Sequence, residues 1–144
     1  MLGYYSALGR VRLMIKILVI GIGGFVGAIA RYGLSGLVHR ASPGSFPFGT
    51  LAVNVLGCLL IGALMTIVED RQPFTANVRL FLFIGLLGSF TTFSTLGYET
   101  FEYLKADDFK LGMYNVLLNV VIGISAVIAG RLGVKSIFAH WLTA

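Results

Sequence analysis

Ionisable side chains are scarce in this chain: six acids, eleven Lys or Arg and two histidines stand among 144 residues. Acid–base and nucleophilic enzymes need carboxylates, histidines or a nucleophile–base pair converging on one pocket. Here His39 falls in a loop and His140 in the tail, and no carboxylate pair stands beside either. The single cysteine, Cys58, lies inside an apolar run, which excludes a disulfide framework and argues against a reactive thiol. There is no glycine-rich phosphate loop; the nearest pattern, Gly21 to Gly24, opens no βαβ unit. No catalytic constellation is present, and no enzyme is expected.

Apolar sequence is what the chain has in quantity. It is 57% hydrophobic with a mean hydropathy of +0.90, which is the composition of a membrane protein. The 19 glycines fall inside apolar runs, where they suit close helix packing. The net charge of +5 is one a nucleic-acid binder would carry. The basic residues flank the apolar runs as orientation signals do, so no nucleic-acid partner is expected and membrane lipid is.

The runs predict an all-α membrane domain over 1–144 with four transmembrane helices, at about 17–38, 49–68, 79–104 and 110–132. Before the first lies a basic lead with Arg10, Arg12 and Lys16, in which Met14 is an alternative start. The lead, the apolar run and Ala28-Ile29-Ala30 superficially fit a signal peptide, but cleavage there would remove a segment with its own packing motif. That motif is Gly23 with Gly27, and Gly24 with Ala28, at small-xxx-small spacing. Arg31 lies well inside the run. It is either a snorkelling arginine or a vestibule charge that attracts anions.

The second span carries Thr50, Asn54 and Gly57; a lone Asn in a span ordinarily joins helices. In the fourth, Asn115, Asn119 and Gly123 recur every four residues on one stripe, which must face protein or water. Glu99 and Glu102 share a helical face near Lys105, where interfacial placement is expected, as it is for His140 and Trp141.

The third run is unusual at its middle, Gly85-Leu-Leu-Gly88-Ser-Phe-Thr91-Thr92-Phe93-Ser94-Thr95. Serine and threonine offer the backbone competing hydrogen bonds, and Gly88 weakens helix further. The third helix is therefore expected to break, leaving carbonyls and hydroxyls available to an ion. Thr50, Asn54, Ser94, Thr95, Asn115 and Asn119 are neutral donors inside spans, suited to a small anion that must bind and leave again. Phe90 and Phe93 add ring edges of positive quadrupole potential, although simple packing explains any single phenylalanine.

Three stretches in this order resemble the Fluc (CrcB) family of fluoride channels: Gly23-Gly24-Phe-Val-Gly27-Ala28-Ile-Ala-Arg31-Tyr32, Gly49-Thr50-Leu-Ala-Val-Asn54-Val-Leu-Gly57, and the third-span segment just quoted. The resemblance runs from about Lys16 to Leu132. It implies an antiparallel, dual-topology dimer with two fluoride pores at its interface, in a bacterial inner membrane. It also implies a central structural sodium ion on backbone carbonyls, by position those of Gly88 and Thr91. The family's pore asparagine falls on Asn54, its first pore phenylalanine on Phe93, its fourth-helix polar track on Asn115 and Asn119, and its helix-one arginine on Arg31. Leu96 stands where the family usually has a second phenylalanine, and leucine has no ring edge to offer.

The expected function is passive export of fluoride down its electrochemical gradient. One alternative is a poorly conducting subunit completed by a related chain. Another is a proton-coupled cation exporter, which would need a buried carboxylate, whereas all six acids fall in loops or toward one end of the third span. With a cytoplasmic start, Arg10, Arg12, Lys16, Arg71, Arg79, Arg131 and Lys135 stand inside against Arg40, Lys105 and Lys110 outside. Counting from Met14 reduces seven against three to five against three. That residual bias leaves a homodimer as the expectation, with a heterodimer as the alternative.

Overall fold

The computed structural model describes the backbone of residues 2–71 and 73–143 and the side-chain surroundings of 9–71 and 73–139. All its regular elements are helical. Helix α1 spans Leu2–Ala41 and α2 spans Phe48–Arg71. Helix α3, residues 76–90, runs from α-helical Ala76–Arg79 through a π-helical stretch, Leu80–Leu87, to a last α-turn at Gly88–Phe90. Helix α4 spans Phe93–Lys105 and α5 spans Phe109–Thr143. Four segments, the third made of α3 and α4 together, are long and apolar enough to cross a membrane.

Two of these helices exceed the expected spans. The basic lead is an unbroken part of α1, and the tail continues α5 to Thr143. Forty residues make a rod of about 60 Å, roughly twice the hydrocarbon thickness, so α1 projects from the membrane. The overhang of α5 is tied to α2: Arg131 pairs with Glu69 at 3.3 Å, and the Arg71 guanidinium lies 5.0 Å from the Phe138 ring. The interfacial placement expected of His140 and Trp141 lies outside the described side chains.

Packing follows the small residues. Gly23 and Gly27 of α1 lie against the backbone of α3, where a Cβ on Gly27 would come within 2.2 Å of the Leu86 carbonyl oxygen. Gly62 of α2 and Gly130 of α5 make the same approach, to Val127 and Leu59 respectively. So α1 packs on α3 and α2 packs on α5. The two halves of the third span part company at the break, α3 staying with α1 while α4 turns onto α5. A polar seam is left between α2, α4 and α5.

Candidate functional site

The break consists of Thr91 (φ −83°, ψ 156°) and Thr92 (φ −147°, ψ 114°), both extended. Asn54 of α2 holds it open. Its Oδ1 accepts the Thr92 backbone N–H at 2.9 Å, and its Nδ2 donates to the Thr92 carbonyl at 3.3 Å. In a continuous helix the Thr92 N–H would answer the Gly88 carbonyl four residues back. The Thr95 N–H would likewise answer Thr91, but it donates instead to the Thr92 hydroxyl at 3.2 Å, which caps α4. Two side chains thus leave the carbonyls of Gly88 and Thr91 without their helical donors. Gly88 is exposed and Thr91 half-buried.

From Asn54 a line of amides and hydroxyls runs along the seam. Asn54 Nδ2 donates to Asn119 Oδ1 at 2.9 Å. Asn119 Nδ2 donates to the Asn115 carbonyl at 2.9 Å and to its Oδ1 at 3.2 Å, and Asn115 Nδ2 donates to Thr100 Oγ1 at 3.1 Å. Thr100 in turn donates to the Leu96 carbonyl at 2.8 Å. Asn115 and Asn119 are buried, so the stripe on α5 faces protein. Beside the break, the Thr92 hydroxyl meets those of Thr95 at 2.9 Å and Ser94 at 3.3 Å.

Glu99 corrects an expectation. It does not sit at the interface like Glu102, which pairs with Lys105 at 3.7 Å. Its Oε1 accepts the hydroxyl of buried Thr50 at 2.5 Å, and its Oε2 is buried with no partner. One turn of helix from the Ser94–Thr95 pair is enough to swing it onto α2.

Two cavities flank the break. One of about 390 Å³ lies along Asn54, Gly57, Gly88, Thr91, Phe93 and Asn119, with Leu96 in its wall. The other, of about 430 Å³, brings Arg31 together with Thr50, Thr92 and Thr95. All the candidate residues are thus gathered at one place except the ring of Phe93, which is 85% exposed although its residue borders the first cavity. Leu96 is buried, 7% exposed. Reading the sequence missed Thr92, Thr100 and Glu99 as members of the seam. Thr92 and Thr100 carry the same hydroxyl signal as their neighbours, while Glu99 was masked by its nearness to Lys105.

The seam offers neutral N–H and O–H donors inside an apolar shell, with one carboxylate, Glu99, on Thr50 and one arginine, Arg31, in the neighbouring cavity. Among the described residues no three His, Cys, Asp or Glu side chains are placed to hold a metal ion. A cation here would have to use carbonyls, and the Gly88 and Thr91 oxygens, hard and neutral and freed from helix bonding, fit a sodium ion. A family profile described as CrcB-like protein, Camphor Resistance (CrcB), matches residues 18–131. The chain is similar to "Fluoride-specific ion channel FluC 1" of Methanosarcina acetivorans, 41% identical over 127 residues that cover 88% of this chain and 96% of that protein. It is also similar to "Fluoride-specific ion channel FluC" of Dehalococcoides mccartyi, 43% identical over 115 residues covering 80% and 88%. A protein of the same name from Clostridium perfringens is 41% identical over 114 residues, covering 79% and 89%.

Proposed function

The chain belongs to the CrcB-like family, and from that premise we propose that this multi-pass membrane protein is a passive fluoride-selective channel whose conducting path follows the Asn54–Asn119–Asn115 seam. One observation carries the reading. The line Asn54–Asn119–Asn115–Thr100 is built of uncharged side chains whose hydrogen bonds are made to one another, inside an apolar span. An anion entering such a line takes over donors one at a time in exchange for its hydration water, while each released acceptor still has a neighbour. Full positive charges would bind fluoride too tightly for it to leave. Arg31, beside Thr50 and Thr95, raises the local anion concentration at the mouth of the path. Selectivity against larger halides would come from a path too narrow to admit them. No nucleotide-binding motif is present to drive transport, so flux follows the electrochemical gradient.

A second copy of the chain covers the break in this reading. Exposed Gly88 with its free carbonyl would be costly against lipid, because irregular backbone at membrane depth is tolerated only where protein or water meets it, and the outward Phe93 offers a second copy a ring to pack on. An antiparallel homodimer places the same carbonyls of both copies face to face. The Gly88 and Thr91 carbonyls would hold a sodium ion there, which would neutralise their converging dipoles and take no part in conduction. A related partner chain would serve equally if it presents the same break.

The test is fluoride efflux from liposomes holding the purified chain alone, with chloride and a lipophilic cation as controls. Fluoride flux without chloride or cation flux is expected, reduced by Asn54→Ala. Flux of chloride equal to fluoride would overturn the selective-channel reading. A well-folded chain that conducts only when a related chain is added would replace the homodimer with a heterodimer.

A further inference from the structure

We propose that Arg79, together with Lys16, binds the phosphate of an anionic phospholipid headgroup in the cleft between α1 and the start of α3. The Nε of Arg79 is buried and finds no hydrogen-bond partner. The two ion pairs seen among the described residues, Lys105–Glu102 and Arg131–Glu69, do not include it. A half-buried guanidinium with a donor unanswered is costly, and the cost falls when an acceptor of opposite charge is available to it.

The neighbouring charges make matters worse rather than better. α1 and α3 run parallel, with Gly23 against Phe81 and Gly85, and Gly27 against Leu86 and Phe90. That register sets Arg79 within about one turn of Lys16, and α1 does contact residues 76–79. Lys16 is exposed and brings a second cation, not an acid. Seven basic residues lie at this end of the chain's helices (Arg10, Arg12, Lys16, Arg71, Arg79, Arg131, Lys135) against two acids, Glu69 and Asp70. Glu69 is held by Arg131. The opposite end is balanced, with Arg40, Lys105 and Lys110 against Glu102, Asp107 and Asp108. Asp70 enters neither of the ion pairs seen among the described residues, so no acid of the chain is seen to answer Arg79, and an anion from outside is free to do so.

Depth identifies its source. Arg79 directly precedes the apolar stretch Leu80–Leu87, and Lys16 directly precedes Ile17–Ile20, so both cations sit at the level of lipid headgroups. Half a turn to nearly two turns deeper the same two helices expose Leu18, Ile22 and Ile84, at 63%, 59% and 58%. A molecule with a phosphate above and an acyl chain below satisfies both layers, and a free phosphate satisfies only the upper one. The guanidinium fork suits two phosphate oxygens at once, and the ammonium adds a point charge.

The full-length chain is extracted from vesicles of equal parts phosphatidylglycerol and phosphatidylcholine, and the lipid retained per chain is counted by native mass spectrometry. Phosphatidylglycerol is expected to be retained over phosphatidylcholine. Arg79→Gln and Lys16→Gln should each lower its retention about fivefold, the effect of one cation near an anionic surface. Arg79→Lys, which keeps the charge and loses the fork, should fall between, and Lys110→Gln at the balanced end should change nothing. Size exclusion and circular dichroism show that each variant is folded, and if Arg79→Gln is not, Arg79→Lys and Lys16→Gln carry the test. Retention in Arg79→Gln equal to wild type, or an equal loss in Lys110→Gln, overturns the proposal. Displacement of the lipid by excess inorganic phosphate also overturns it, since the site would then recognise any phosphate. Lipid retention is read without fluoride, so it stands or falls apart from the channel assay.

Discussion

Asn54→Ala removes the clamp on the helix break, and its cost can be worked from the bonds lost. The amide makes three, to the Thr92 N–H, the Thr92 carbonyl and Asn119 Oδ1. Polar side-chain contacts between helices in a membrane contribute about 0.6 kcal/mol each on average and up to about 1.7. Three of them give about 2–5 kcal/mol. The cavity of about 390 Å³ beside Asn54 admits water to the abandoned groups, which sets the expectation in the lower half, about 2–3 kcal/mol. The freed Thr92 N–H can also rejoin the Gly88 carbonyl, so the break partly heals and the geometry of the path is lost. Unfolding of the purified chain by titration of sodium dodecyl sulfate into mild detergent measures the first effect. Liposome efflux measures the second, with a fall in fluoride flux of tenfold or more expected. A double-mutant cycle with Asn119→Ala should isolate a coupling of about 0.6–1.7 kcal/mol for that pair. A variant within about 0.5 kcal/mol of wild type and conducting normally would show that Asn54 neither holds the break nor lines the path, and the reasoning would fall.

Gly27→Ala should destabilise by about 1–3 kcal/mol, because its Cβ meets the backbone of Leu86 and Phe90 rather than a yielding side chain; Gly133→Ala, which meets open space, should stabilise by up to about 1 kcal/mol in the same titration. Glu99→Ala leaves the Thr50 hydroxyl without its acceptor and should cost about 1–3 kcal/mol, while Glu99→Gln keeps an oxygen there and should cost less than half as much. Leu96→Phe should fold, since the cavity lies against Leu96, and should raise fluoride efflux roughly threefold or more by restoring a ring edge to the path. An unchanged rate would show that the leucine already suffices.

Much of the fold was legible because it rests on local signals. Small residues four apart marked the α1 face that meets α3, and the glycine and hydroxyl cluster between Leu87 and Thr95 marked the break. The amide stripe of Asn115 and Asn119 could not face lipid, and it does not. What escaped depends on partners distant in the chain. Asn54 could be recognised as a polar residue needing company, but nothing nearby said that its company is the backbone of Thr92, 38 residues on. Glu99 was judged by its neighbour Lys105 when its true neighbour is Thr50, 49 residues back. The π-winding of Leu80–Leu87 has no signature in a run so uniformly apolar. Helices α1 and α5 run past the expected spans because hydropathy marks where a helix leaves the membrane, not where it stops.

The parting of α3 from α4 also bears on the order in which the chain is built. Helix α4 is 13 residues, about 20 Å, too short to cross a bilayer on its own. It packs on α5 and hardly on the half-span that precedes it. Asn119 and Asn115, which complete the seam, are also the last of its members to be synthesised. Until they arrive, Asn54 holds Thr92 but has no second amide to bond, and Thr100 has no partner on another helix. Final seating of the third span therefore waits for the fourth. A nascent chain halted before Phe109 should leave α4 at the membrane surface, open to reagents that the finished protein excludes.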